Sequence, residues 1–288
     1  MCDEHTDDAE QRALVGKGLS RRQFAAASAA MMAASCTTPG IAAGALREQM
    51  VTVPTPDGVA DAFWVYPATG TAPAVLLWPD VAGLRDAFKI MARRLAAEGF
   101  AVLAVNPYYR NARAPVLESF SDWRTPEGQA KIAPMREALT DARIVNDSQA
   151  FVAWLDAQPA VDKLRRVGTQ GYCMGGPFAV RTAAANPARV GAAASLHGGG
   201  LVTDAPNSPH RLIAASEAAF LIAIARNDDA REPSVKEVLK TSVEQAGRGS
   251  EVEVYPADHG WTVIDLPVYD EAAAERAYAR ILALYARL

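Results

Sequence analysis

From residue 46 onward, short unbroken apolar runs alternate with longer segments of helical period, and this alternation most narrows what the chain can fold into. Ala74 to Trp78, Ala101 to Val105, Arg166 to Gln170, Val190 to Leu196, Phe220 to Ala225 and Glu251 to Tyr255 read as buried strands. Met50 to Val53 and Ala60 to Tyr66, joined by the Pro56-Asp57-Gly58 turn, read as an antiparallel edge. Leu84 to Glu98 has helical period and stops at Gly99, which makes a βαβ unit with the runs on either side. Asp141 to Asp156 is amphipathic, with Ile144, Val145, Phe151, Val152, Trp154 and Leu155 on its apolar stripe, and Asp270 to Leu288 closes the chain as a helix. Between them, Asn106 to Pro134 reads as a long loop carrying Tyr108, Tyr109, Trp123 and Arg124, of the kind that covers a pocket. The expectation is an α/β fold: a doubly wound, mostly parallel eight-stranded sheet with helices on both faces. No repeat or low-complexity linker divides residues 46–288, which read as a single domain.

The first 45 residues differ in character. A polar start leads to Ser20-Arg21-Arg22-Gln23-Phe24 and then to an Ala-rich, mildly apolar run ending near Ser35. This is the layout of a twin-arginine export signal, too short and too mild for a spanning helix. Cleavage after Ala43 or Ala45 suits the small residues there, and the expected location is periplasmic or secreted, with transient use of the export machinery and no stable membrane insertion afterwards. Two other readings stay open: an uncleaved N-terminal extension, and a lipoprotein anchored at Cys36, against which Ala33 stands where such signals prefer Leu.

The acidic residues slightly outnumber the basic ones, 33 to 29, so a nucleic-acid partner is not expected and a small molecule is. Of the three cysteines, Cys2 and Cys36 lie inside or beside the presumed signal, which leaves Cys173 as the one thiol of the mature chain and a candidate nucleophile.

That thiol sits in the most informative stretch, Gln170-Gly171-Tyr172-Cys173-Met174-Gly175-Gly176, where a strand runs through G-x-C-x-G into a helix. A nucleophile elbow needs this pattern: Gly171 and Gly175 remove the Cβ atoms that would clash as strand and helix approach. The helix N-terminus would favour a thiolate. The plain alternative is a buried cysteine packed as a small apolar group.

Elbow hydrolases order their residues nucleophile, acid, histidine along the chain. The strand Phe220 to Ala225 ends in Arg226-Asn227-Asp228-Asp229, which makes Asp228 the candidate acid and Asp229 its reserve. His259 follows the strand ending at Tyr255 and is the candidate base; His197 lines the same edge or is a hydrogen-bonded loop histidine. No ligand cluster calls for a metal or an organic cofactor.

Together, Gly171-Tyr172-Cys173-Met174-Gly175-Gly176, Asn227-Asp228, His259-Gly260-Trp261 and Trp78-Pro79-Asp80-Val81-Ala82-Gly83 resemble the dienelactone hydrolase family of α/β-hydrolases. The resemblance implies a hydrolase of small esters or lactones that works through a thioester. It implies backbone N–H groups of Val81 and Met174 as oxyanion donors, and Asp80 as the carboxylate beside the resting nucleophile, where the family carries Glu. It also implies an arginine four positions beyond the histidine to clamp a substrate carboxylate. Here that position is Val263, and Arg124 is the substitute candidate. Trp261 and His197 are placed in the substrate pocket or just behind it. Two rivals remain: a broader carboxylesterase or thioesterase whose pocket is lined by Trp123, Trp261, Tyr108 and Tyr109, and a non-catalytic binding protein on the same fold.

Overall fold

A computed structural model describes residues 45–288, so the expected export signal and Cys36 lie outside the described residues. The strands are β1 (Leu46–Thr55), β2 (Gly58–Pro67), β3 (Ala74–Trp78), β4 (Ala101–Val105), β5 (Val167–Tyr172), β6 (Val190–Leu196), β7 (Ala219–Ala225) and β8 (Glu251–Tyr255). They form one sheet in the order β1-β2-β4-β3-β5-β6-β7-β8. β1 and β2 are antiparallel to each other, β2 is antiparallel to β4, and every pairing from β4 to β8 is parallel. The C-terminal ends of β3 through β8 therefore share one edge, where residues from distant parts of the chain converge.

Strand alternation sorts side chains onto two faces. Val75, Leu77, Val102, Ala104, Leu221 and Ala223 face one apolar cluster. Leu76, Trp78, Leu103, Val105, Phe220 and Ile222 face the other. The first cluster is covered by α1 (Asp86–Ala97), through Phe88 and Leu95, and by the C-terminal helix Glu271–Tyr285, through Ala277 and Ile281.

The stretch expected to be a loop, Asn106 to Pro134, is corrected by the structure: it holds α2 (Phe120–Trp123) and most of α3 (Pro126–Glu137). Both begin on local capping chemistry. Asp122 accepts the Ser119 N–H at 2.8 Å, and the Thr125 hydroxyl accepts the Gly128 N–H at 3.0 Å, with Pro126 opening α3 where its missing N–H does no harm. Phe120 and Trp123 turn into the first cluster.

The second face is covered by α4 (Asp141–Ala157) and α5 (Gly175–Ala185) and, beyond the short α6 (Pro209–Leu212) and α7 (Arg226–Arg231), by α8 (Ser234–Ala246); the C-terminal helix is α9. Among the described residues no helix is long and apolar enough to cross a membrane.

Candidate functional site

β5 is buried along its whole length and turns sharply at Cys173, whose φ of 51° is left-handed, before α5 begins at Gly175. The turn is possible because of two missing side chains. A Cβ on Gly171 would lie 1.8 Å from the Gly175 carbonyl oxygen, and one on Gly175 would lie 2.6 Å from the carbonyl oxygens of both Trp78 and Pro79. The elbow is thus pressed against the end of β3. Cys173 is 5% exposed, takes part in no disulfide, and stands at the N-terminus of α5.

The loop after β3 lies beside this elbow. Its Ala82 and Gly83 N–H groups are engaged by the Asp80 side chain (2.9 Å) and the Asp80 carbonyl (3.0 Å). The Cys173 N–H goes to the Leu196 carbonyl and the His197 ring, and the Gly176 N–H to the Cys173 carbonyl. The Val81 and Met174 N–H groups have no acceptor among the described residues. The fully buried Tyr108 sits between these two residues, donating its hydroxyl to the Val81 carbonyl at 2.8 Å, with the Met174 sulfur 3.5 Å away.

β7 and β8 deliver the titratable pair. α7 starts directly after β7, so Asp228 falls in its first turn and meets His259, which follows β8: Nδ1 lies 2.6 Å from Asp228 Oδ2. A carboxylate only accepts, so Nδ1 carries the proton and Nε2 is the basic nitrogen. Asn227 accepts the His259 N–H at 2.8 Å and fixes the loop, while Arg231 donates to the other Asp228 oxygen at 2.9 Å. Asp229 turns away to Lys236 at 2.8 Å. Of the adjacent acids, Asp228 alone meets the histidine.

His197 links the two halves. Its Nδ1 accepts the Cys173 N–H at 3.2 Å, its Nε2 lies 2.8 Å from the Thr262 hydroxyl, and its ring centroid is 5.0 Å from that of His259. Burial and the neighbouring His259 hold its pKa well below 6.5, so the ring is neutral. Trp261, expected in the pocket or just behind it, is fully buried, stacked on Tyr255 and edge-on to His197.

The sequence profile of the dienelactone hydrolase family matches residues 60–288. The chain belongs to this family. A Methylorubrum extorquens protein provisionally named a carboxymethylenebutenolidase is 28% identical, with 95% of each chain covered. The carboxymethylenebutenolidase of Rhodococcus opacus is 29% identical over 42% of each chain. The crystal structure of a Klebsiella pneumoniae protein provisionally named a dienelactone hydrolase superposes with a TM-score of 0.72 at 23% identity, covering 85% of this chain and all of that one. This dienelactone hydrolase family member has the α/β-hydrolase fold and is a carboxylic ester hydrolase.

Around the shared frame the family member carries a charge network that sequence reasoning did not find. Arg85 is 0% exposed, and all five of its N–H donors are engaged: Nη1 and Nη2 to the two oxygens of Asp80 (2.7 and 2.9 Å), Nη1 also to the Gly83 carbonyl, and Nε and Nη2 to Asp265 (2.7 Å each). Burial alone would lower the Arg85 pKa, but the two carboxylates hold it above its ordinary value. Both Asp80 oxygens being bound to Arg85, this residue anchors the loop that carries Val81. Asp265 also accepts the Phe120 N–H at 3.2 Å, which ties α2 to the histidine loop. Val263 is wholly buried in the core. Arg124 is half-buried at the end of α2. Tyr109 points elsewhere, to Thr55 and Asp147 at 2.6 and 2.7 Å, and does not line the elbow. No one-residue signal marks Tyr108, Arg85, Thr262 or Asp265 in the sequence, because their roles arise from partners far along the chain.

Proposed function

We propose that this enzyme hydrolyses small esters or lactones with Cys173 as nucleophile, His259 as base and Asp228 as the group that orients and charge-balances the imidazole. The observation that carries the reading is the His259 Nδ1 to Asp228 contact of 2.6 Å beside a left-handed cysteine elbow. His259 Nε2 takes the thiol proton and the thiolate attacks the ester carbonyl. The tetrahedral oxyanion is received by the Val81 and Met174 N–H groups, which have no acceptor among the described residues. Collapse breaks the C–O bond, the imidazolium returns its proton to the departing oxygen, and a thioester remains. Water, deprotonated by His259, then attacks the thioester and regenerates the thiol.

The substrate reading is narrowed by charge. Val263 lies in the core and Arg85 has no donor left, so neither supplies a bidentate clamp for a carboxylate. This favours a carboxylesterase or lactonase acting on uncharged acyl groups over one dedicated to acidic lactones. The test is acyl trapping on Cys173, read by intact mass. A lactone adds its whole mass because the leaving oxygen stays tethered; a linear ester adds only its acyl part. Cys173→Ala is expected to abolish both adduct and turnover, and full esterase activity in that variant would overturn the mechanism. KM for a carboxylate-bearing lactone should be no lower than for its neutral methyl ester. A carboxylate preference of tenfold or more, removed by Arg124→Ala, would return the clamp to Arg124.

A further inference from the structure

His197 does more than pack. Among the described residues, Cys173 and His197 are the non-glycine positions with positive φ, 51° and 42°, and they are bonded to each other. A left-handed conformation is unfavourable for a residue with a side chain, and it persists only where surrounding contacts impose it. Here the contacts are mutual. The Cys173 N–H is shared between the Leu196 carbonyl at 3.0 Å and His197 Nδ1 at 3.2 Å, so the imidazole lone pair holds the amide at the base of the elbow. Because Nδ1 accepts, the ring proton is on Nε2, which donates to the Thr262 hydroxyl at 2.8 Å. Thr262 lies on the same turn as His259 and Trp261, and the His197 ring contacts both of those rings, at 5.0 and 5.1 Å. The groups facing His197 are thus Cys173, Tyr172, His259, Trp261 and Thr262; the carboxylate of Asp228 is bonded to the far side of His259.

We infer that His197 is a positioning residue that locks the nucleophile elbow to the histidine loop, setting the separation of Cys173 and His259 through one imidazole bonded at both nitrogens. The inference rests on the reading of Cys173 as nucleophile and His259 as base. Its second consequence is electrostatic: an imidazole that stays neutral beside His259 adds no positive charge to oppose the imidazolium formed in the reaction.

The test separates the two nitrogens. In His197→Asn the amide oxygen falls where Nδ1 stood, and Asn tolerates the left-handed region; His197→Phe keeps a ring and loses both bonds. Thr262→Val removes only the far bond and covers the case in which the Phe variant fails to fold. The measurements are kcat and KM on an aryl ester, and the pH dependence of Cys173 alkylation by iodoacetamide, which reports the thiolate. His197→Phe is expected to lower kcat about 100-fold with little change in KM, the loss associated with a displaced catalytic group. The alkylation midpoint should move to higher pH, His197→Asn should recover at least tenfold of the lost kcat, and Thr262→Val should fall between. Unchanged kcat and an unchanged alkylation profile in His197→Phe or Thr262→Val would overturn the inference, as would equal impairment of Asn and Phe with the wild-type profile. Activity surviving Cys173→Ala would instead overturn the nucleophile reading on which it rests.

Discussion

At the scale of single residues, Tyr108 shows how a buried hydroxyl can serve a reaction it does not enter. Its ring packs against Gly83, and its O–H fixes the Val81 carbonyl, which sets the plane of the loop whose preceding amide is the proposed oxyanion donor. Tyr108→Phe keeps the packing and leaves a buried carbonyl without its donor, so a loss of about 1–3 kcal/mol is expected in denaturant unfolding. In steady-state kinetics the same variant should lose about tenfold in kcat with KM nearly constant, because a misaligned donor is felt only where charge develops. Asp228→Asn keeps the shape but presents an amide to His259 Nδ1 and favours the wrong tautomer. With Asp228 in the role proposed above, a fall in kcat on the order of 10³–10⁴ is expected. The cysteine elbow and the strand ends that bring Asp228 to His259 were legible in the sequence, because glycines and apolar runs mark them. The sequence offers Tyr108 as a loop aromatic and a candidate pocket wall, but nothing local says that its hydroxyl reaches back to residue 81.

At the scale of elements, the loop after β3, the histidine loop and α2 are held together by one arginine between two acids. Replacing Arg85 by Met would leave Asp80, 1% exposed, and Asp265 without their cation. Removing one partner of a buried ion pair typically costs about 3–5 kcal/mol, so Arg85→Met should unfold at markedly lower denaturant than the wild type. If its midpoint is unchanged, the network does not hold these loops. The elbow is equally intolerant: Gly171→Ala would drive its methyl group into the Gly175 carbonyl oxygen at the start of α5, and the expected result is loss of soluble protein or of all activity. The strands were legible as apolar runs. α2 and α3 were not, because their apolar residues are sparse, although Ser119, Asp122, Thr125 and Pro126 carried capping signals that the loop reading passed over.

For the whole molecule, the buried neutral His197 makes stability depend on pH. Its folded pKa is depressed below 6.5, so above pH 6.5 neither state is protonated there and its contribution is complete. Below 6.5 the unfolded chain takes up a proton that the folded chain refuses, and stability falls as pH drops toward the depressed value. One such group contributes a slope of about 1.4 kcal/mol per pH unit. Chemical unfolding of the wild type and of His197→Asn between pH 7.5 and 5 measures it: the wild type should lose stability more steeply, and parallel curves would contradict the neutral assignment. Glu48, whose pKa is lowered from 4.5 by its hydrogen bond to Arg93, titrates below this window.

What the sequence alone determined is the strands, the helices of clear apolar period and the chemistry available to them. Period and composition act over neighbouring residues, so an apolar run declares a doubly buried strand, and two glycines around a cysteine declare a turn that only they permit. Tertiary structure decided the assignments that depend on distance in space. It chose Asp228 over Asp229, turned Asp80 toward Arg85, buried Val263 and Trp261, and seated His197 between the thiol's backbone and the histidine loop. The Asp80–Arg85 pair is local, five residues apart, but its second acid Asp265, the Asp228–His259 contact and the seat of His197 join segments that share no sequence neighbourhood, and such partners are selected only when the parallel sheet brings its strand ends to one edge.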